Sequence, residues 1–239
     1  MEILRSTLST SNTATDLAVV IDVLRAFTTA AYLFSAGIGE IILVSGVQEA
    51  FDLRRELPDC LILGEVDGIK VQGFDLGNSP SEIMTRNLVG KRIIQRTTAG
   101  TQGVVLASNA RTILTAALAN LSATVRYIKK ISPHRVTLIQ TGLFPDRGWG
   151  DEDVACADAI EAMLLGRAVD LDQITMRVRS SRSGMHYDGT RPDFPPQDLE
   201  MALMFDRFDF AMVVERTNNL HTMHRIDMHS LDMHSKGCT

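Results

Sequence analysis

Apolar residues in this chain come in short unbroken runs separated by helical repeats, and that alternation predicts most of its elements. Residues 17–21 (LAVVI) form a continuous apolar run of strand length, rich in β-branched residues and closed by Asp22. Residues 25–36 carry Ala, Leu and aromatic side chains at helical spacing and stop at Gly37, a residue suited to ending a helix. The alternation then repeats: 41–44 as a buried strand, 47–57 as an amphipathic helix closed by Pro58, and 60–63 as another strand. A long loop, LGEVDGIKVQGFDLGNSP, leads to a helix from Pro80 to about Asn87, with Ser79 at its N-cap. A loop of that length between regular elements is functional or disordered, and Ile69, Phe74 and Leu76 give it apolar anchors that favour order. Residues 92–96 (RIIQR) read as a strand running into Thr97-Thr98-Ala99-Gly100-Thr101 and a helix to about Ser108. Residues 111–115 read as strand with ambiguous spacing, 116–131 as a helix ended by Pro133, and 136–140 as a further buried strand.

Short apolar strands alternating with helices predict an α/β fold, a mostly parallel sheet with helices on both faces in three α/β/α layers. Beyond Gly142 a turn-rich stretch (145–150) precedes Asp151-Glu152-Asp153 and a helix to about Leu165, stopped by Gly166. Helical patches near 171–182 and 197–207 flank a Pro/Gly/Asp-rich loop (184–196), and 208–214 reads as strand or helix. One domain over residues 1–239 is expected, with the Ser/Thr-rich segment 1–16 and the DMHSL-DMHSK tail at 227–239 outside its core.

Composition narrows the function. With 45% hydrophobic residues in 239, the chain has ample material for a core. A net charge of −5, with no Lys/Arg-rich block, argues against nucleic acid as a partner. Cys60, Cys156 and Cys238 lie far apart without a CxxC, so neither a disulfide framework nor a zinc knuckle is indicated, and Cys156 has no neighbouring His to activate it. The N-terminal residues lack a signal peptide's apolar core and no run is long enough to span a membrane, so a cytoplasmic protein is expected. A homo-oligomer is left open. His221, His224, His229 and His234 fit no helical face and sit in a stretch that reads as disordered.

Ligands in open α/β sheets collect at the carboxyl ends of strands. Asp22, Glu65, the TTAGT loop and the 151–153 acids all follow strands and form one recognisable set. Hard oxygen ligands suit Mg²⁺, which takes one or two carboxylates plus waters and a substrate oxygen. Backbone N–H groups of a Gly/Thr loop at a helix start suit a phosphate. Each piece also has a plain structural reading. Asp22 and Thr97 to Thr101 could be ordinary caps, the acids at 151–153 would favour a helix start anyway, and Arg25 could lie along its own helix.

Taken together, Val20-Ile21-Asp22-Val23-Leu24-Arg25-Ala26, Gly64-Glu65, Gly73-Phe74-Asp75-Leu76-Gly77-Asn78-Ser79-Pro80, Thr97-Thr98-Ala99-Gly100-Thr101 and Glu152-Asp153 resemble the 2-phosphosulfolactate phosphatase (ComB-type) family in order and spacing. The resemblance spans roughly residues 18–165. It implies a ComB-like three-layer α/β/α fold and a Mg²⁺-dependent phosphatase that hydrolyses a small anionic phosphomonoester, (R)-2-phospho-3-sulfolactate, in coenzyme M biosynthesis. On that reading Asp22, Arg25 and Glu65 are catalytic, and Asp22, Glu65, Glu152 and Asp153 hold Mg²⁺ directly or through water. Arg25, Thr97, Thr98, Gly100 and Thr101 take phosphate oxygens, while Asn78 and Ser79 orient the organic part. The DxDx(T/V) pattern of aspartyl-phosphate enzymes is absent, Leu24 standing at its third position, so water is the expected nucleophile. The family's loop usually carries Asn where Ala99 stands and a cation where Val66 stands, and both differences bear on anion recognition. The alternative is a non-catalytic binder of phosphorylated metabolites.

Overall fold

The computed structural model describes residues 1–142 and 150–229. The expected 145–150 turn lies almost wholly outside these, as do most of the 227–239 tail, His234 and Cys238. Among the described residues, ten strands form one sheet in the order β1-β8-β2-β7-β9-β10-β3-β6-β4-β5. They are β1 (Glu2–Thr7), β2 (Leu17–Ile21), β3 (Glu40–Val44), β4 (Cys60–Val66), β5 (Ile69–Lys70), β6 (Arg92–Arg96), β7 (Thr112–Ala116), β8 (Arg135–Gln140), β9 (Phe210–Thr217) and β10 (Leu220–Asp227). The helices are α1 (Ala26–Ser35), α2 (Val47–Glu56), α3 (Pro80–Ile83), α4 (Gly100–Leu106), α5 (Leu121–Ile131), α6 (Asp151–Leu164), α7 (Leu171–Ser180) and α8 (Pro196–Ala202).

The sheet has two parallel blocks, β1-β8-β2-β7 and β3-β6-β4. Between them lies the β9–β10 hairpin, antiparallel to its neighbour on each side, so the second block runs opposite to the first. The carboxyl ends of the two blocks nonetheless come into contact. Gln95 Nε2, at the end of β6, donates to Ala26 O just past β2 at 3.0 Å.

Alternation along β2 shows how the layers form. Ala18 and Val20 face a core built around α1 and α4, with Leu43, Ile93 and Met212 from the rest of the sheet. Leu17, Val19 and Ile21 face the opposite layer, under α5 and α6. A third core lies between α2 and the second block, around Ile42, Ile62 and Ile94. Helix α1 is buried at every residue except Ser35, which explains why its sequence carries no charged residue. This is the expected three-layer arrangement, and no helix among the described residues is long and apolar enough to cross a membrane.

Three expectations change. The Ser/Thr-rich N-terminus supplies edge strand β1, because Glu2 to Thr7 pair in register with Arg135 to Gln140. The final ambiguous run is strand β9, and His221 and His224 lie on its partner β10 rather than in a disordered tail. The helix after Ser79 is a single turn ending at Ile83.

Candidate active site

Register sets the site. Ile21 pairs with both Ala116 and Gln140, and Arg96 lies opposite Val44 and Gly64, so Asp22, Thr141 and Thr97 all leave the sheet near strand ends. A cavity of about 520 Å³ opens there, and its lining includes Asp22, Glu65, Asn78, Thr98 and Ala99 together with Arg25, Ser183, His186, Tyr187 and Phe194.

Asp22 and Glu65 form its floor with Asp153 and Glu152 buried beside them, and all but Glu152 are tied to backbone donors of other residues. Asp22 Oδ1 accepts from Ala26 N at 2.9 Å, capping the first turn of α1. Glu65 Oε1 accepts from Thr98 N at 2.6 Å, while Oε2 accepts from Gly68 N at 2.6 Å and Thr98 Oγ1 at 2.9 Å. Asp153 accepts from Val23 N at 2.8 Å and Gly142 N at 2.7 Å. Glu152 takes side-chain hydrogen bonds from Ser183 and Ser181, yet its buried Oε2 meets no donor among the described residues. Gly100 is required by this crowding: a Cβ there would lie 2.6 Å from Ala26 Cβ and 2.7 Å from Asp22 Oδ2.

Burial dominates the electrostatics. It pushes the Asp22 carboxyl up to about 7, helped by the charges of Glu65 and Glu152 and opposed by the Ala26 and Gly100 N–H groups. Burial, then the Asp22 and Glu152 charges, holds Asp153 well above the usual carboxylate range. Glu152 is raised chiefly by burial too. Ionising these groups together in so buried a site would leave an excess of negative charge, which is why they hold their protons so high.

The roof is of different chemistry. Arg25 Nη1 donates to Asp198 Oδ2 at 2.7 Å and Nη2 to Gly68 O at 3.0 Å. Its guanidinium carbon lies 5.1 Å from the Phe194 ring centre and 5.7 Å from that of Tyr187, both cation–π contacts. Burial pushes the Tyr187 hydroxyl up, so it stays protonated. Burial and the charges of Arg191 and Arg182 hold His186 below the usual imidazole range.

Asp22, Arg25, Glu65, Asn78 and Thr98 thus meet on one cavity, with Glu152 and Asp153 buried beside Gly142 on its wall. Other expected residues do different work. Thr97 and Thr101 bond each other: Thr101 N donates to Thr97 Oγ1 at 3.1 Å, Thr97 N to Thr101 Oγ1 at 2.9 Å, and Thr101 Oγ1 to Thr97 O at 3.0 Å. The Thr98 and Gly100 amides serve Glu65 and Asp22. The expected phosphate cradle is therefore a clamp on the floor carboxylates, since a backbone N–H already bonded to an internal carboxylate is not available to substrate. Ser79 caps α3 and donates to Asp198 at 2.9 Å. It lines a neighbouring cavity of about 470 Å³ that shares Arg25 and Asn78 with the first. The Cys156 thiol is fully buried and pushed well up by burial, which makes it inert. Asp198, Tyr187, Phe194 and Ser183 carried no sequence signal of their own.

The Mg²⁺ expectation can be set against this geometry. Among the described residues no three His, Cys, Asp or Glu side chains are arranged to hold a metal ion by themselves. Mg²⁺ needs only one or two carboxylates with water, however. A buried carboxylate oxygen without a donor among the described residues, beside carboxyls raised by burial and then by one another's charge, fits a divalent cation.

Fold and site together define an α/β protein with an acidic cavity at its strand ends and one guanidinium on the roof. The chain belongs to the 2-phosphosulpholactate phosphatase family, whose model matches residues 3–186. A Bacillus subtilis protein named "Probable 2-phosphosulfolactate phosphatase" is 33% identical over 213 residues, 88% of this chain and 92% of that protein. Proteins of the same name from Deinococcus radiodurans and Carboxydothermus hydrogenoformans are 38% and 42% identical, over 63% and 61% of this chain and 62% and 59% of their own lengths.

Proposed function

We propose that this protein is a Mg²⁺-dependent phosphomonoesterase that converts 2-phosphosulfolactate, the compound for which its relatives are named, to 3-sulfolactate and phosphate. The observation that carries the reading is the charge of the cavity. A cavity lined by Asp22 and Glu65, with Glu152 and Asp153 buried beside Gly142 on its wall, can hold these groups ionised next to a polyanionic substrate only with a divalent cation between them.

Asp22 and Glu152 are the residues that would hold Mg²⁺; when bound, the ion withdraws charge from the phosphoryl oxygens. Glu65 and Asp153, with their oxygens on backbone N–H groups, fix the loops after β6 and β8 around that position. Arg25 faces the anionic substrate with the guanidinium N–H groups that Asp198 and Gly68 leave unused, stabilising charge as the P–O bond breaks. Asn78, buried and with its Oδ1 lacking a donor among the described residues, would orient the organic part. The roof rings exclude water from the opposite side.

Phosphate release from a panel of phosphorylated hydroxy acids, with Mg²⁺ or with EDTA, tests this. Release from 2-phosphosulfolactate that stops in EDTA is the expected result. Activity that survives EDTA removes the metal's role, and thermal stabilisation by these compounds without turnover would make the protein a binder.

A further inference from the structure

Asp198 on α8 is completely buried behind Arg25, lining neither cavity itself. A buried carboxylate stays charged only where a cation and donors surround it. Asp198 has three such partners: Arg25 Nη1 at 2.7 Å, Ser79 Oγ at 2.9 Å and Ser81 N at 2.9 Å. They come from the start of α1 and the cap and first turn of α3, so one side chain ties the roof to two segments far away in sequence.

The choice of partner is informative. Asp22 and Glu65 line the same cavity as Arg25, yet among the described residues the ion-pair partner of Arg25 is Asp198 and neither of those. Coulomb attraction in a poorly hydrated cavity would otherwise draw a guanidinium onto the floor carboxylates. There it would neutralise the charge a divalent cation needs and turn its N–H groups away from an anionic substrate. The Gly68 carbonyl and the Phe194 and Tyr187 rings complete the restraint on the roof side.

We propose that Asp198 is the positioning residue of this site, holding Arg25 apart from Asp22 and Glu65 so that one cavity keeps an anion-facing wall and a cation-accepting floor. The proposal rests on the phosphatase reading above. It predicts two effects of Asp198→Asn, which keeps the shape and removes the charge. Mg²⁺ affinity, followed by thermal shift and calorimetry without substrate, should weaken about tenfold or more as Arg25 moves to the floor. The kcat/KM for the phosphomonoester should fall about 100-fold, mainly in kcat.

The double variant Arg25→Gln/Asp198→Asn removes the competing cation as well, and should bind Mg²⁺ as the wild type does while turning over at least about 100-fold more slowly. Wild-type Mg²⁺ affinity and turnover in Asp198→Asn would overturn the proposal, as would a double variant that binds Mg²⁺ as weakly as the single one. If Asp198→Asn does not fold, the double variant decides: wild-type Mg²⁺ affinity supports the proposal and weakened affinity overturns it. A wild-type protein that binds no Mg²⁺ removes the metal from the proposed function instead, and the kcat effect of Asp198→Asn then decides alone.

Discussion

The floor and the roof of the cavity hold their charges by different means. On the floor, Asp22, Glu65 and Asp153 are fixed by backbone N–H groups from α1, from the loops after β4 and β6, and from the loop after β8. These donors belong to the sheet's own connections, so the carboxylates are rigid and mutually repelling. On the roof, Arg25 is fixed chiefly by side chains, one carboxylate and two aromatic rings from a short helix and the loop before it, with the Gly68 carbonyl as its one backbone partner among the described residues. A floor built that way would accept the proposed cation without rearranging, whereas the roof's geometry depends on a few long-range contacts. Damage to the floor should therefore abolish chemistry, and so should loss of Arg25 or of its Asp198 partner, whereas loss of the roof's aromatic rings should mainly weaken binding.

Asp22→Asn is the severest test of the floor. It should lower kcat/KM by about 10³-fold while raising the melting temperature of the metal-free protein at pH 8, because a buried, crowded charge is removed. A variant with lower activity and lower stability would make Asp22 a structural residue. Gly100→Ala comes next. Its Cβ would collide with Ala26 Cβ and Asp22 Oδ2, so α4 must shift. Kinetics and urea unfolding should show a loss of about 10²-fold in kcat/KM and about 1–3 kcal/mol of stability. Unchanged kinetics would show that Asp22 tolerates displacement.

The same contrast explains what the sequence could reveal. Asp22, Glu65 and the 152–153 acids follow apolar strands, and the rule placing ligands at strand carboxyl ends is local enough to apply without coordinates. Asp198 is 173 positions from the guanidinium it pairs with, and after two prolines it reads as an ordinary acid in a helix's first turn. Thr97 and Thr101 misled because a Thr-rich loop before a helix has the same spelling whether its hydroxyls meet a ligand or each other. The β9–β10 hairpin did leave a trace. Asn218 and Asn219, both with positive φ, form the two-residue turn that Asn favours, between two runs able to pair. Strand β1 left less, since Ser and Thr suit loops and edge strands alike.

For the roof, Phe194→Ala should leave the fold intact and raise KM about tenfold, the scale of one desolvated cation–π contact, with a smaller change in kcat. Phe194 also packs on His186 and Tyr187. A kcat loss as large as that of Asp22→Asn would erase the division between binding roof and reacting floor.

The smallest effect sharpens the floor's side of the contrast by titration. Asp22 in the folded chain titrates at about 7, against an ordinary value of 3.8, so between these values the folded state binds more protons than the unfolded one. Its contribution to stability is fully present below about 3.8 and is lost as pH rises through about 7. Glu152 and Asp153 are raised in the same direction and add to the trend. In EDTA the melting temperature should therefore fall between pH 5 and pH 8, by roughly 2–4 °C for each kcal/mol lost. Asp22→Asn should flatten that slope, and Mg²⁺ should cancel it by compensating the ionised floor. A metal-free wild type whose melting temperature rises over that interval would mean that the floor carboxylates are already compensated within the protein, and the need for a cation would disappear with the slope.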